Sequence, residues 1–480
     1  MSNAAQNSSR ASRWPYVVAI FGSAAVTLGL AALLLNIRER KKEGEQHYFS
    51  LSGIDENISD PEVWGRNFPR QYDGYLRTVD NERTQHGGSE SLPPSKLDAD
   101  PRLKRIFAGY AFSIDYREKR GHAFMLEDQE KTERIAKVKQ PGACLHCHSS
   151  VLPLFRFAGN GDVMKGFENV CAMPYQQAHN MTGADGKKLI THPVACIDCH
   201  DPKTMQLRIT RPGFILGIQS LANSTASLPH LTSIVQWRLD RDAKRPKAGD
   251  HYDVNTMATR QEMRSFVCGQ CHVEYYFKGE GKLLTYPWHN GLTVDEIERY
   301  YDDLKYRDFV HRETNAPVLK AQHPEFEMWN QGVHARSGVA CADCHMPYKR
   351  EGAVKISDHQ VRSPMLDMTR ACLVCHRFSE TEMRSRVDLI QGRTKQLSDR
   401  AEAALLELYD AVKAAKEAGA TEEHLQDSYK LQRRAQWRID FILSENSRGF
   451  HAPQETARVL GEAIDFARQG EIAAMKAKRK

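Results

Sequence analysis

The chain has 480 residues, of which 41% are hydrophobic and 27% charged, a composition typical of a globular protein and not of a disordered one. Its 67 Lys and Arg against 61 Asp and Glu give a formal charge of +6, and no long basic run concentrates that charge. Composition therefore gives no indication of nucleic-acid binding. The length allows two or three ordinary domains, or one domain enlarged by cofactors.

The first predicted element is a membrane helix over residues 16–35, YVVAIFGSAAVTLGLAALLL, which carry no charge. A helix of this length crosses about 30 Å of hydrocarbon. Arg10 and Arg13 precede it, as in a signal peptide, but no convincing small-x-small cleavage site follows. Residues 1–42 are therefore predicted to be a cytoplasmic tail and a signal anchor, with a cleaved signal as the alternative. The basic residues after the helix favour the opposite orientation.

The cysteines carry the strongest pattern in the chain. Ten of the eleven form five C-x-x-C pairs, each followed directly by a histidine. This is the attachment pattern of c-type haem, in which two thiols bond to the porphyrin and the histidine ligates its iron. Zinc ribbons use such pairs two at a time, and five redox dithiols have no rationale. The predicted attachment residues are Cys144, Cys147, His148, Cys196, Cys199, His200, Cys268, Cys271, His272, Cys341, Cys344, His345, Cys372, Cys375 and His376.

Residues 43–377 are predicted to form a pentahaem catalytic region. Up to about residue 110 the chain is polar and turn-rich, which predicts loops around short helices. Beyond that point the haem motifs recur among Pro, Gly and aromatic residues with weak periodicity, as expected for a core filled by porphyrin. Because haem c is attached after export, this body is predicted to lie in the periplasm, and that requirement overrules the charge pattern at the membrane helix.

Residues 378–480 change to Ala, Glu, Lys, Arg and Leu and are predicted to form three long helices. The first is predicted over AEAALLELYDAVKAAKEAGA and ends near Gly419, and the second opens with Thr421 as its cap. The third begins at APQETARVL. No strand pattern of any length appears, so the predicted fold class is mainly α, a multihaem cytochrome c with very little β.

The haem count does not by itself distinguish an enzyme from an electron carrier. A haem that only carries electrons usually has two protein axial ligands, whereas a catalytic haem keeps one position open. Five of the 20 histidines belong to the motifs and fifteen remain, enough to close all five irons. Cys171, the one cysteine outside the motifs, is predicted to be a small buried hydrophobic residue, with a reactive thiol as the alternative.

Five stretches resemble the fingerprints of the ammonia-forming cytochrome c nitrite reductases, pentahaem enzymes of the periplasm, in that family's order. They are CGQCHVEYYF (268–277), KAQHPEFEMW (320–329), HARSGVACADCHMP (334–347), SDHQ (357–360) and RRAQWRIDF...FHAP (433–453). The resemblance covers nearly the whole exported part. It implies a catalytic first haem, four further haems each closed by two histidines, and the reduction of nitrite to ammonium.

The resemblance also implies particular residues. The distal ligands would be His359 opposite His200 on the second haem, His122 opposite His272 on the third, His451 opposite His345 on the fourth, and His334 opposite His376 on the fifth. The catalytic residues over the first haem would be Arg134, Tyr275 and His323. An arginine and a histidine suit an anion such as nitrite, and His and Tyr can relay protons.

A calcium ion is implied beside the catalytic residues. Its ligands would be the side chains of Glu274 and Gln322 and the backbone carbonyls of Tyr275 and Lys320, hard oxygen donors of the kind that Ca²⁺ prefers. A buried salt bridge or amide network is the alternative. The resemblance further implies a homodimer joined through the C-terminal helices, and an electron donor that is a membrane tetrahaem quinol dehydrogenase or another cytochrome.

The first motif departs from most of that family, where it ends in lysine, the proximal ligand of the catalytic iron. Here it ends in His148, as in a minority of members, and His146 is expected to point away from the iron. An imidazole in place of an amine changes the potential of the iron. Two alternatives therefore stay open: a reductase of sulfite or hydroxylamine, and a non-catalytic pentahaem electron carrier with His146 or another residue closing the first haem.

Overall fold

The protein is described here as a computed structural model that covers residues 13–44, 50–80, 82–87, 93–352 and 354–477. Over these residues the fold is mainly helical with very little strand, as the sequence predicts. The helices are α1 Trp14–Gly44, α2 Pro61–Asn67, α3 Pro69–Leu76, α4 Lys96–Ala99, α5 Arg102–Ile106, α6 Met125–Lys131, α7 Glu133–Lys137, α8 Leu145–His148, α9 Leu152–Ala158, α10 Val163–Ala172, α11 Tyr175–His179, α12 Cys196–Cys199, α13 Pro212–Asn223, α14 Thr232–Asp242, α15 Val254–Met257, α16 Arg260–Gly269, α17 Val294–Asp303, α18 Glu325–Gln331, α19 Val333–Arg336, α20 Cys341–His345, α21 Met368–Ala371, α22 Glu380–Glu417, α23 Gln426–Ser444 and α24 Pro453–Ala477.

The strands form three two-stranded pairs. They are β1 Tyr276–Lys278 with β2 Leu283–Thr285, β3 Phe309–Val310 with β4 Pro317–Val318, and β5 Tyr348–Glu351 with β6 Val354–Ser357. The first two pairs are antiparallel. Short 3-10 helices lie at Arg77–Asp80, Ala111–Ser113, His122–Phe124, Gly142–Cys144, Pro246–Ala248 and Pro364–Leu366.

Contacts divide the chain into two compact units. One comprises Met1–Ser50 and Tyr348–Ile356, and the other comprises Leu51–Pro347 and Ser357–Lys480. The haem motifs and the three long helices thus belong to the same unit. The boundaries predicted at residues 42 and 377 stay predictions.

Helix α1 contains the predicted membrane segment. Trp14–Arg40 is long and apolar enough to cross a membrane, by length and composition, and its apolar window is not buried against protein. The helix extends past residue 35 because the Asn, Arg, Glu and Lys residues that follow include good helix formers and no proline or glycine before Gly44. Arg10 lies outside the described residues.

Helix α22 begins earlier than the sequence pattern predicts. Its first residue is Glu380, because the Ser379 side chain accepts a hydrogen bond from the backbone N–H of Glu382 and so caps the helix. The helix ends at Glu417, and Gly419 then adopts a positive φ of 92°. The predicted glycine stop is therefore confirmed, since a left-handed residue satisfies the last helical carbonyls without a steric penalty.

The predicted start of the second long helix was wrong. Thr421 accepts a hydrogen bond from the His424 N–H, but this closes only an isolated turn, and α23 begins at Gln426. Leu425, which precedes α23, is fully buried in the core of the bundle. Tertiary packing therefore determines where this helix starts, and the cap motif does not.

Helices α22, α23 and α24 pack along one another through small residues. Ala463, Ala467 and Ala474 of α24 are fully buried, and a Cβ on Gly470 would lie 2.9 Å from a methyl carbon of Leu408. The same core reaches the rest of the unit, because the Trp437 indole donates to a backbone carbonyl of α17. The chain that follows α23 is thereby fixed against the haem-binding part.

A second apolar cluster includes residues of the first haem motif and residues on either side of the third. Phe155, Phe167 and Phe214 are fully buried there, together with Trp288. Cys171 belongs to this cluster and is fully buried, and burial raises the pKa of its thiol to about 12. The thiol is therefore protonated at neutral pH, as expected for a buried hydrophobic residue.

Candidate functional site

The haem-attachment motifs lie on short helical turns whose geometry follows from their own sequence. In the second motif the Asp198 carboxylate accepts the backbone N–H of Ala195 at 2.8 Å, which caps the turn. The His200 N–H then donates to the Cys196 carbonyl at 2.9 Å. Asp343 caps the fourth motif in the same way. Such a turn presents two thiols and an imidazole to one porphyrin.

Four of the five motif histidines face a second histidine from another part of the chain. The ring centroids lie 6.3 Å apart in His200–His359, 6.3 Å in His122–His272, 6.5 Å in His345–His451 and 6.2 Å in His334–His376. Two imidazoles that bond to opposite sides of one metal ion, each at about 2 Å, have ring centroids about 6 Å apart. The spacing therefore fits one iron between each pair, and the pairs are the four that the resemblance implies.

Hydrogen bonds orient these rings. A histidine whose Nδ1–H donates to a backbone carbonyl presents its Nε2 to the metal. The Nδ1 atoms and their carbonyl partners are His200 with Met205 at 2.9 Å, His359 with Ser357 at 2.9 Å, His345 with Arg362 at 3.0 Å, and His148 with Met125 at 3.3 Å. His451 differs, because its Nδ1 lies 2.6 Å from a carboxylate oxygen of the buried Glu445.

The attachment motifs are contiguous in space, although they are distant in sequence. Cys147 of the first motif lies beside Cys271 of the third, and Cys268 of the third lies beside Cys341 of the fourth, close enough that the neighbouring thiols raise the pKa of Cys147 and of Cys268. Groups bound at these thiols would lie next to one another, which is the arrangement needed to pass electrons along a row.

The first motif has a different environment. Among the described residues no second imidazole faces His148 at the spacing of the four pairs. Instead two cations, Lys119 and Arg134, act on it: burial, together with these two positive charges, lowers the pKa of His148 to about 4. His323 and His148 also influence one another electrostatically.

Arg134 is held firmly at this site. It lies in α7, where the side chain of Thr132 caps the helix. One of its Nη atoms donates to the Asp115 carbonyl at 2.6 Å, and its guanidinium carbon lies 4.4 Å from the ring centroid of Phe112. These contacts leave other guanidinium N–H groups available to an anion, since an arginine carries five N–H donors.

Tyr275 and His323 complete the predicted trio. Burial raises the pKa of the Tyr275 phenol well above its ordinary value, with a contribution from Cys147 and Cys144 of the first motif, so the phenol keeps its proton. Burial and the charge of Lys119 lower the pKa of His323 well below its ordinary value. The three residues implied by the resemblance therefore gather at the first motif, from α7 and from the segments before β1 and before α18.

One polar residue at this site was missed by the sequence analysis. The Nζ atom of Lys119 lies 2.5 Å from Nδ1 of His323 and 3.1 Å from its Nε2. The only feature of the sequence that could have indicated Lys119 was its position in YREKRGH, the segment that ends in the haem-facing His122. Nothing in that spacing distinguishes Lys119 from its exposed neighbour Arg117, and only the tertiary structure does so.

His146, inside the first motif, points away from the haem position, as expected. It is fully buried beside Phe155 and Phe167, and its Nε2 accepts the Gly213 N–H at 3.2 Å. Because one ring nitrogen is engaged and the ring is enclosed by aromatic side chains, His146 is not oriented to close the first haem.

The implied calcium ligands Glu274 and Gln322 lie close together in a buried region that is rich in carboxyl groups. Glu274 is fully buried, and its carboxylate accepts hydrogen bonds from the Gln322 N–H at 2.6 Å and the Tyr301 hydroxyl at 2.9 Å. The Gln322 side-chain amide lies 3.5 Å from the Lys320 carbonyl. Burial, with Asp308 and Glu327 nearby, raises the pKa of Glu274 well above its ordinary value. Buried carboxylates of this kind fit a cation.

Five attachment turns and four facing histidine pairs define a multihaem cytochrome c. The sequence profile described as Cytochrome c552 matches residues 60–480, and the chain belongs to this family. It is similar to cytochrome c-552 of Parabacteroides distasonis, 39% identical over 418 residues that cover 85% of this chain and 75% of that protein. It is also similar to cytochrome c-552 of Porphyromonas gingivalis, 36% identical over 468 residues that cover 96% of this chain and 85% of that protein.

A solved structure shares the fold. It is a cytochrome c nitrite reductase from Desulfovibrio desulfuricans, in which two calcium sites are described in the catalytic subunit. The match has a TM-score of 0.73 and 27% sequence identity, and it covers 89% of this chain and 88% of that chain.

Proposed function

We propose that this protein is a periplasmic nitrite reductase that takes six electrons to convert nitrite to ammonium. The observation that carries the proposal is the contrast between the first motif and the other four. Each of the others has a facing histidine, whereas His148 has Arg134, Tyr275 and His323 gathered near it. The similarity to a cytochrome c nitrite reductase supports the same reaction.

Five covalent c-type haems fit the five attachment turns, and the haem held by Cys144, Cys147 and His148 would supply the iron that binds nitrite and passes electrons to it. The residues around this iron would bind and orient nitrite and supply protons. Arg134, fixed by Asp115 and Phe112, would bind an oxygen of the nitrite anion and orient it. Tyr275 keeps its phenolic proton and can donate a hydrogen bond, while His323 can hold or pass a proton at a ring nitrogen.

The other four haems would deliver electrons to this pocket. Their ligands would be the four histidine pairs, and both axial positions would be closed, which suits electron transfer. The contacts between Cys147 and Cys271 and between Cys268 and Cys341 support a row in which the first, third and fourth haems are neighbours.

Calcium would bind at Glu274, Gln322 and the backbone carbonyls of Tyr275 and Lys320. A cation here would neutralise the buried carboxylates and brace Tyr275 and His323, which adjoin its ligands in the chain. Treatment of the purified protein with a chelator should therefore lower nitrite turnover, and added Ca²⁺ should restore it. Full activity with no bound calcium would argue for the buried amide network instead.

The membrane helix and the donor complete the proposal. Helix α1 would act as a signal anchor that holds the enzyme at the inner membrane, near a membrane tetrahaem quinol dehydrogenase or another cytochrome donor. The C-terminal helices would join two copies as a homodimer. Extraction from membranes tests the anchor. If the anchor is retained, release of the protein should require detergent. If salt releases the protein and its N-terminus lies beyond residue 35, the segment was cleaved.

The decisive experiment is an ammonium assay on the purified holoprotein with a reduced dye as donor. Nitrite, hydroxylamine and sulfite should be compared in parallel, because His148 in place of lysine bears on which substrate is preferred. Ammonium formed in proportion to six electrons per nitrite supports the proposal. Faster turnover of sulfite favours a sulfite reductase. A fully low-spin reduced spectrum with no binding of nitrite or cyanide would indicate an electron carrier.

A further inference from the structure

Lys119 occupies a defined position in the pocket of the first motif. The neighbouring Arg120 pairs with Asp128 of α6 at 2.7 Å and lies over the Phe124 ring at 3.7 Å. His122, a little further along, faces His272. The backbone of this segment is thus held on both sides of the lysine. Its side chain extends to His323, where Nζ lies 2.5 Å from Nδ1.

The surroundings of Lys119 include charges of both signs. Lys96 and Lys320 lower its pKa, whereas Glu325 and Tyr116 raise it. Burial is the largest influence, and the resulting pKa of Lys119 is about 8. The side chain therefore still carries its proton at neutral pH. Its charge also reaches His148, on which Arg134 acts as well.

We propose that Lys119 is a substrate-binding residue, whose ammonium group beside His323 provides a second positive charge for the nitrite anion in addition to Arg134. This inference rests on the proposed function and extends it. Nitrite has two oxygens that share one negative charge, and a single arginine anchored on one side leaves the other oxygen without a cationic partner. A charge-assisted hydrogen bond from an ammonium group is strong where water is displaced.

The test uses the charge of the substrate. At neutral pH, where Lys119 keeps its proton, nitrite is an anion and hydroxylamine is mostly neutral. Holoenzyme with Lys119→Met or Lys119→Gln should show a KM for nitrite raised by about tenfold or more, because a hydrogen bond to a charged group is lost. The KM for hydroxylamine should stay close to that of the unaltered enzyme, and Lys119→Arg should restore much of the nitrite affinity. An optical titration of the oxidised protein with nitrite should reproduce the loss without turnover.

Lys131→Met is the matched control, since it removes the same charge from an exposed lysine on α6 whose side chain is 71% accessible. A KM for nitrite that does not change in the Met and Gln variants overturns the proposal. Equal losses for nitrite and hydroxylamine, or loss of haem in all three variants, would also overturn it and assign Lys119 a purely structural role. Failure of the unaltered enzyme to form ammonium would instead contradict the proposed function itself.

Discussion

His345 and His451 face one another with their ring centroids 6.5 Å apart, although one ends a haem motif and the other lies between α23 and α24. The backbone at His451 packs closely against the residue that precedes α19. A Cβ on Gly332 would lie 1.9 Å from the carbonyl oxygen of His451, so only glycine fits there. The C-terminal helices therefore bring a histidine to the haem-binding part, and they do more than stabilise the fold.

Replacement of His451 by alanine should open one haem. With its distal ligand removed, the fourth iron would change from low-spin and six-coordinate to high-spin, while its covalent attachment through Cys341 and Cys344 would remain. Electron paramagnetic resonance and optical spectra would show one additional high-spin haem out of five. The exposed His251→Ala serves as control and should leave the spectra unchanged. An unaltered spin state in His451→Ala would contradict the assignment of this ligand.

Glu445→Gln should raise the reduction potential of the same haem. The Glu445 carboxylate lies 2.6 Å from Nδ1 of His451, where it increases electron donation by the imidazole and places a negative charge near the iron. Its removal should shift the potential upward by about 60 mV or less, since 59 mV for one electron corresponds to a tenfold change in the equilibrium constant. Potentiometric titration provides the measurement. Glu382→Gln, on the exposed face of α22, is the control.

Arg134→Ala should greatly reduce nitrite turnover and leave five haems bound. The guanidinium is a positive charge held at the first motif by the Asp115 carbonyl and the Phe112 ring, and loss of one such group costs about 10²- to 10³-fold in catalytic rate. The nitrite-dependent formation of ammonium is the measurement, with haem content determined in parallel. Arg117→Ala, which removes a half-exposed arginine that also contacts Asp115, should retain activity. Equal losses in both variants would point to disruption of the loop.

The free energy of unfolding should depend on pH through Glu402. Burial and the nearby Asp100 raise its pKa to about 8, and Asp100, Asp399 and Glu402 all pair with Arg102. The folded protein then keeps a proton that the unfolded chain releases near pH 4.3. Between about pH 5 and pH 8 the folded state binds more protons, so its stability falls as the pH rises.

Thermal unfolding of the holoprotein across that range provides the measurement. Glu402→Gln keeps the size of the side chain and removes the titrating proton, so the stability of this variant should fall less steeply with pH than that of the unaltered protein. Glu382→Gln should leave the slope unchanged. Parallel curves for Glu402→Gln and the unaltered protein would show that Glu402 is ionised in the fold.

Sequence patterns predicted this protein well where the chemistry is local. The C-x-x-C-H motifs indicated covalent haem because two thiols and an imidazole must lie on a single turn, and the cap at Asp198 shows that turn. Gly419 was recognised as a helix stop for an equally local reason. Where tertiary packing competes with a local signal the prediction failed, as at Thr421, because the buried Leu425 determines where α23 begins.

The sequence by itself determined the fold class, the number of haem-attachment motifs and an apolar helix long enough to cross a membrane, and through resemblance it predicted which histidines pair. Only the tertiary structure brought Lys119 to His323, Glu445 to His451 and the attachment cysteines of the first and third motifs to one another. The reason is physical. Attachment depends on covalent spacing along a few residues, whereas the potential of an iron and the charge of its pocket depend on groups that come close only when distant segments pack together.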